Sequence, residues 1–276
     1  MIKLQKALQN LGMSRRKACD IVKSNGVKIN GKISYEPWAD LKETDYIEVD
    51  NKKFFISDLV EEFEKKYYLY HKPYGILTTM KDDFGRETIV DDIKGKIKEN
   101  VFYIGRLDKN TSGLLLLTND GDFANLMSKP SSNVKKSYYV MTEEDIKAEE
   151  VSKLENGVTI EGGIKTKPAS LKTLKKKNEI IITITEGKKR QIRYMFKEVG
   201  HKVKVLKRIS FGIWNLRDVP NPGDIKEIEP IKIKEFIKII KRGDNKSEST
   251  NSMRGKRDKV KTTNFNKRKT FNTNRK

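Results

Sequence analysis

The sequence predicts an α+β protein with a small helical and hairpin unit over residues 1–60, a larger unit built on a mainly antiparallel mixed sheet over 67–240, and a disordered basic tail over 241–276. Three observations carry this reading. The first sixty residues hold two helix-spaced apolar stripes followed by alternating strands around an Asn-Gly turn. From Tyr67 onward, short apolar runs of strand length are interrupted by helical stripes, the order expected of helices set against an antiparallel sheet. After Lys241 large apolar side chains almost vanish while Lys, Arg, Asn, Thr and Ser dominate, and such a composition cannot bury a core.

In the first unit, Leu4, Ala7, Leu8 and Leu11 fall on one face of a helix that Gly12 stops. Ser14 is a good N-cap for a second helix, which buries Ala18, Ile21 and Val22 and ends at Asn25-Gly26. Val27 and Ile29 alternate with polar residues into Asn30-Gly31, a tight hairpin turn, and Tyr46 to Val49 supplies a further strand. Residues 57–66 form a polar bridge. Beyond it, strands are predicted at 67–71, 76–80, 101–104, 113–118, 137–141, 169–174, 179–185 and 203–209, with helices at about 122–128, 143–154 and 190–199.

Composition narrows the function. Among 276 residues, 59 Lys and Arg face 38 Asp and Glu, a formal net charge of +21. The 36-residue tail holds 13 basic and 3 acidic residues, a net of +10, so the remainder of the chain is basic in its own right. A polyanion heads the list of partners. One cysteine, Cys19, and two histidines, His71 and His201, support neither a disulfide framework nor an ordinary Cys/His zinc site. Catalysis is therefore expected from carboxylates, hydroxyls, Lys or Arg, with no metal. The amino terminus lacks the long apolar core of a secretory signal, and no stretch approaches a membrane span, so a cytoplasmic protein is expected.

Three stretches can carry chemistry. The strand at 101–104 empties into a loop, Gly105 to Ser112, and a second buried strand returns from it, which fixes Asp108 between two rigid elements. The structural alternative is a carboxylate that caps its own turn through Asn110 and Thr111. Lys188, Lys189, Arg190 and Arg193 cluster around a helix start, where the helix dipole disfavours cations and anion recognition explains them better. The same holds for Arg15, Arg16 and Lys17 after Ser14, where a solvated charge run competes with a phosphate site. In Lys136-Ser137-Tyr138-Tyr139-Val140 one tyrosine faces each side of the sheet, so one belongs to the core and the other is free to stack on a base or relay a proton.

These residues carry a family resemblance. LQKALQNLGMSRRKACDIVKSNGVKINGK resembles the RNA-binding domain named after the fourth small-subunit ribosomal protein, the S-four domain. That likeness implies that Ser14, Arg15, Arg16, Lys17, Lys28 and Lys32 face structured RNA. GRLDKNTSGLLLLTNDG, KSYYV and EGKKRQIRYMF resemble the three motifs of the RsuA/RluB-type pseudouridine synthases, and HKPYGILTTMKDDFGRETI resembles their opening segment. The resemblance implies Asp108 as nucleophile, Arg106 as a residue that opens the RNA and holds the flipped nucleotide, Tyr138 against the target base, and Arg193 as ion-pair partner of Asp108. Tyr138 is preferred to Tyr139 because it stands two residues after Lys136. Thr111-Ser112 is a mild variation on the family pattern. Lys188, Lys189 and Arg190 would add phosphate contacts.

The implied reaction isomerises uridine to pseudouridine in ribosomal RNA, large-subunit RNA first, then small-subunit RNA and transfer RNA. It needs no cofactor, and the implied partner is ribosomal RNA or a pre-ribosomal particle met by a monomer. The competing class is a noncatalytic S-four-domain RNA-binding ribosome-assembly factor, which has no need of Asp108. A reading as an RNA glycosylase or nuclease fails on the missing second acid and metal ligands.

Overall fold

The computed structural model describes residues 1–59 and 64–240, which fall into two compact units, Met1–Glu64 and a second that opens at Lys65. The tail from 241, and with it the expectation of disorder, lies outside the described residues.

In the first unit the helix Leu4–Asn10 turns Leu4, Ala7 and Leu8 inward, and the helix Arg15–Asn25 answers with Ala18 and Val22. These side chains close one core with Val27, Leu41, Ile47 and Ile56. The Ser14 hydroxyl accepts from the Lys17 N–H at 3.2 Å, which satisfies a donor the first helical turn leaves open. Asn30 and Gly31 both take left-handed backbone and set the register Val27↔Ser34, the geometry a two-residue hairpin needs. A fourth strand, Lys52–Phe55, escapes the sequence reading because its KKFF pattern shows no apolar alternation. Its position follows from a second left-handed pair, Asp50-Asn51, which folds it onto Tyr46–Val49.

The second unit is organised by a nine-stranded sheet. Its order is Ser170–Thr173, Glu179–Ile184, Lys136–Thr142, Val203–Phe211, Ser112–Thr118, Tyr67–Lys72 and Ile225–Glu227, with Phe102–Ile104 also on Ser112–Thr118 and Trp214–Asn215 on Val203–Phe211. All pairings are antiparallel except the one between Val203–Phe211 and Ser112–Thr118. One edge of Ser112–Thr118 is taken by Tyr67–Lys72. The other edge is shared: Phe102–Ile104 pairs with residues 116–118, and Lys207-Arg208 pairs with residues 112–113. The loop between Ile104 and Ser112 therefore stands where one strand hands its neighbour over to another.

Burial follows from this arrangement. Leu114 and Leu116 face a cluster with Phe123, Trp214 and Phe236, whereas Leu115 and Leu117 face Tyr68, Tyr70 and Ile89. Both faces of the central strands are covered, which accounts for the unbroken LLLL run. Residues 230–240 form a helix whose Ile233 and Phe236 close the first of these clusters. The strand expected at 76–80 is absent, and only a bridge Leu77↔Thr88 remains; the backbone here pairs Leu77 with Glu87 and Ile89 and continues no ladder. The helix expected from 143 begins at Ala148, where the Glu150 carboxylate accepts from the Lys147 N–H.

The parallel seam leaves no room at Gly113. Its φ is +109°, and a Cβ there would lie 2.3 Å from the Arg208 carbonyl oxygen and 2.6 Å from the Arg208 nitrogen. Gly113→Ala should cost on the order of 3 kcal/mol or more. Gly121→Ala, at a helix start with nothing within 4 Å, should shift stability by less than about 1 kcal/mol. Urea unfolding followed by Trp214 fluorescence in a Trp38→Phe background isolates this unit, and equal midpoints for the two variants would refute the account.

Candidate active site

The loop that carries Asp108 makes little structure of its own beyond one turn, Thr111 N–H to the Asp108 carbonyl at 3.0 Å. Its shape is imposed from outside. The Thr78 hydroxyl donates to the Leu107 carbonyl at 2.7 Å and accepts the Leu107 N–H at 3.3 Å. The Gly75 N–H donates to the Lys109 carbonyl at 3.0 Å. Arg193 donates through Nη2 to the Asn110 carbonyl, and Lys72 donates through Nζ to the Thr111 carbonyl at 3.1 Å. Backbone carbonyls on both sides of Asp108 are thus held by the 72–78 segment and by the helix Gln191–Glu198.

The Asp108 carboxylate is left free of that work. It is half-buried and makes no hydrogen bond or salt bridge among the described residues, so the alternative of a carboxylate capping its own turn does not hold. It opens into a cleft of about 500 Å³ lined by Thr78, Phe84, Arg86, Arg106 and Lys189 among others.

Two cations stand behind it. Lys72 is fully buried, and its Nζ also donates to the Pro73 carbonyl at 2.9 Å. Burial lowers its ammonium from the usual 10.5 to about 8, against the opposing pull of the Asp108 charge. Arg193 is lowered first by burial and then by Arg190, again opposed by Asp108. The expected Asp108–Arg193 ion pair is not formed: the guanidinium is occupied by the carbonyls of Asn110 and Val203, while its Nε is buried without a protein acceptor. Its link to Asp108 is electrostatic and runs through the loop backbone.

The pleat separates the two tyrosines. Tyr138 is buried on the face of Val140 and packs in the core cluster that contains Leu107, the residue before Asp108, whereas Tyr139 is half-buried and meets Glu179. Tyr138 is therefore the core residue, and neither ring is among those lining the cleft over Asp108. The remaining predicted residues divide. Arg106 and Lys189 line the cleft and Arg190 is exposed, but Lys188 is held by the Glu186 carboxylate at 3.1 Å and the Lys165 carbonyl at 2.8 Å. In the first unit Arg15, Arg16, Lys17 and Lys32 are exposed, and Arg15 stands 5.7 Å over the Trp38 ring. Lys28 is paired with Glu48 at 3.2 Å.

Sequence reasoning passes over Lys72, Thr78 and Arg208. The Arg208 guanidinium is buried, donates to the Leu114 carbonyl at 2.6 Å and lies 4.8 Å from the Phe211 ring. A Lys at the end of a strand that opens on four apolar residues, YYLYHK, is the available signal for the first of these. Nothing in the sequence pairs Thr78 with Leu107, 29 residues away. Among the described residues there is no group of three or more His, Cys, Asp or Glu suited to a metal ion, and no helix long and apolar enough to cross a membrane.

Comparison with known proteins shows the family. Residues 66–198 match the family model described as RNA pseudouridylate synthase. The chain is 40% identical over 251 residues to the ribosomal large subunit pseudouridine synthase B of Bacillus subtilis (strain 168), covering 89% of this chain and 99% of that one. It is 39% identical over 233 residues to an uncharacterised RNA pseudouridine synthase of the same organism, covering 82% and 95%. A crystal structure of a pseudouridylate synthase superposes with a TM-score of 0.61 at 26% identity, over 86% of this chain and 100% of the other.

The buried Lys72 yields a pH test. The folded protein releases this proton near pH 8, whereas an unfolded chain holds it to about 10.5, so the unfolded state binds more protons between those values and stability rises through that window. Below pH 8 the group is protonated in both states and stability does not vary with it. Lys72→Met removes the rise. The stability difference between wild type and variant should therefore grow in favour of wild type from pH 8 to 10.5, and parallel curves of urea midpoint against pH would exclude it.

Proposed function

The chain belongs to the RsuA/RluB-type family of RNA pseudouridine synthases, and from that premise we propose that it isomerises a uridine of ribosomal RNA, in the large subunit, with Asp108 as nucleophile. The observation that carries this reading is the Asp108 carboxylate, without a hydrogen bond or salt bridge among the described residues, on a loop whose flanking carbonyls are clamped and in a cleft lined with Arg and Lys. The choice of large-subunit RNA follows the name of the B. subtilis relative.

The reaction breaks the bond between ribose carbon 1 and the base nitrogen, turns the uracil, and joins carbon 1 to carbon 5 of the same ring. No group enters or leaves, so the protein needs one carboxylate, a fixed sugar and a pocket that retains the free base. Attack at ribose carbon 1, addition to the ring and passage through a glycal are all served by a carboxylate so placed. Lys72 and Arg193 set positive charge behind it in a part of the protein shielded from water, where electrostatic interactions are stronger than in solution.

The nucleotide must leave its stack to reach Asp108, at a cost of a few kcal/mol. Arg106, on the exposed rim one residue beyond the left-handed Gly105, enters the space the base vacates, and Tyr138, buried beside Leu107, is assigned to the base by the family resemblance. Lys189 and Arg190 hold phosphates. The first unit docks on RNA through Arg15, Arg16, Lys17 and Lys32, an S-four-type surface. A noncatalytic RNA-binding factor would not need a carboxylate kept clear of its own turn, and this separates the two readings.

Asp108→Asn should abolish pseudouridine formation in ribosomal RNA from cells lacking the gene, by at least about 10³-fold, while folding and RNA affinity stay within a few-fold. Turnover by the variant would exclude the assignment. Wild-type turnover should persist in EDTA without added nucleotide or redox cofactor. The triple substitution Arg15→Ala, Arg16→Ala, Lys17→Ala should weaken RNA capture and flatten the slope of log affinity against log salt by about 2 to 3, and an unchanged slope would remove these residues from the docking surface.

A further inference from the structure

The cleft over Asp108 has one wall that the reaction described above does not use. Residues 81–86 fold around the Asp82 carboxylate, whose side chain is only 6% exposed. It accepts the backbone N–H groups of Phe84 and Arg86 at 3.0 and 2.9 Å, and the Arg86 guanidinium through Nε and Nη2 at 3.1 and 2.6 Å. Arg86 in turn stands 4.9 Å over the Phe84 ring. The result is an aromatic side chain raised on a braced loop, 81% exposed, with a cation against it, in the same cleft as Arg106, Asp108 and Lys189.

Phe84 has no folding role that exposure of this kind would serve. Leaving a phenyl ring in water forfeits the stabilisation that burial would bring, and the loop around it is held by Asp82 rather than by packing of the ring. A flat apolar face bordered by cations suits an unstacked nucleobase on a polyanionic strand, because every base offers a π-face and the neighbouring cations take its phosphates. We infer that Phe84 is a stacking platform for a nucleobase next to the reacting nucleotide, fixed by the Asp82–Arg86 brace, and that it helps select which nucleotide is held over Asp108.

This inference rests on the reading of the cleft as an RNA active site. The experiment uses the full chain and ribosomal RNA from cells lacking the gene, with pseudouridine formation followed under steady-state conditions. Phe84→Ala should lower kcat/KM by about 5- to 150-fold, the range of one base–aromatic stack, mainly through KM, with thermal unfolding unchanged. Phe84→Trp should restore activity and Phe84→Leu should not, since a leucine keeps apolar bulk without a stacking face. The slope of log kcat/KM against log salt should match wild type, because no cation is lost.

An alanine variant within twofold of wild type, a leucine variant as good as tryptophan, or a flattened salt slope, which would mean that the ring acts by placing Arg86, each overturns the inference. Asp108→Asn run alongside separates the two levels: if it remains active the reading of the site fails, whereas if it is inactive and Phe84→Ala is normal only the stacking role fails.

Discussion

Everything at the site depends on the clamping of one loop by its backbone carbonyls. Residues 105–111 are glycine-led, polar and short of internal hydrogen bonds, so alone they would sample many shapes at an entropic cost of about 1–2 kcal/mol per residue ordered. Thr78, Gly75, Lys72 and Arg193 bind the carbonyls of Leu107, Lys109, Thr111 and Asn110. Because all four grips are on the backbone, the Asp108 side chain remains available. Had the side chain itself stabilised the turn, its release to a substrate would have cost the loop its shape.

The clamp in turn requires the sheet to be assembled as it is. Lys72 ends a strand whose six residues are all buried, and Thr111 precedes the strand that pairs with it at Lys72↔Gly113. Arg193 comes from a helix whose Ile192, Met195 and Phe196 are seated on the other half of the sheet. The two halves meet at the parallel contact between Arg208 and Gly113, which admits only a glycine. A single seam therefore brings the donors of both halves to one loop.

That seam is rich in buried cations. Lys136 is lowered to about 8 by burial and then by Arg208, and both lie over the Phe211 ring, at 5.3 and 4.8 Å. Taking ammonium and guanidinium groups out of water is costly unless carbonyls and ring faces replace the lost hydration; here the Leu114 and Val134 carbonyls and the Phe211 ring replace part of it, and the Arg208 Nη2 is buried without a protein acceptor. The arrangement costs stability locally and yields a site whose field is set before an anionic substrate arrives.

Much of this was legible in the chain itself. The amphipathic stripes, the Asn30-Gly31 turn and the LLLL strand are dictated by local periodicity and turn chemistry, so the α+β class and most elements follow from spacing, and Asp108 stood out as a carboxylate between two buried runs. What spacing does not encode is contact between distant segments. The Thr78 hydroxyl has no partner in its own segment and finds one on Leu107, Arg193 reads as a carboxylate's partner until its guanidinium is found on carbonyls, and Lys188 reads as free until Glu186 takes it. Alternation says only that Tyr138 and Tyr139 face opposite sides, and the tertiary structure decides that Tyr138 is the one buried with Leu107. Sequence determines which way each residue can face along its own element; the pairing of elements, set by burial of both sheet faces and by the seam at Gly113, decides what each one meets.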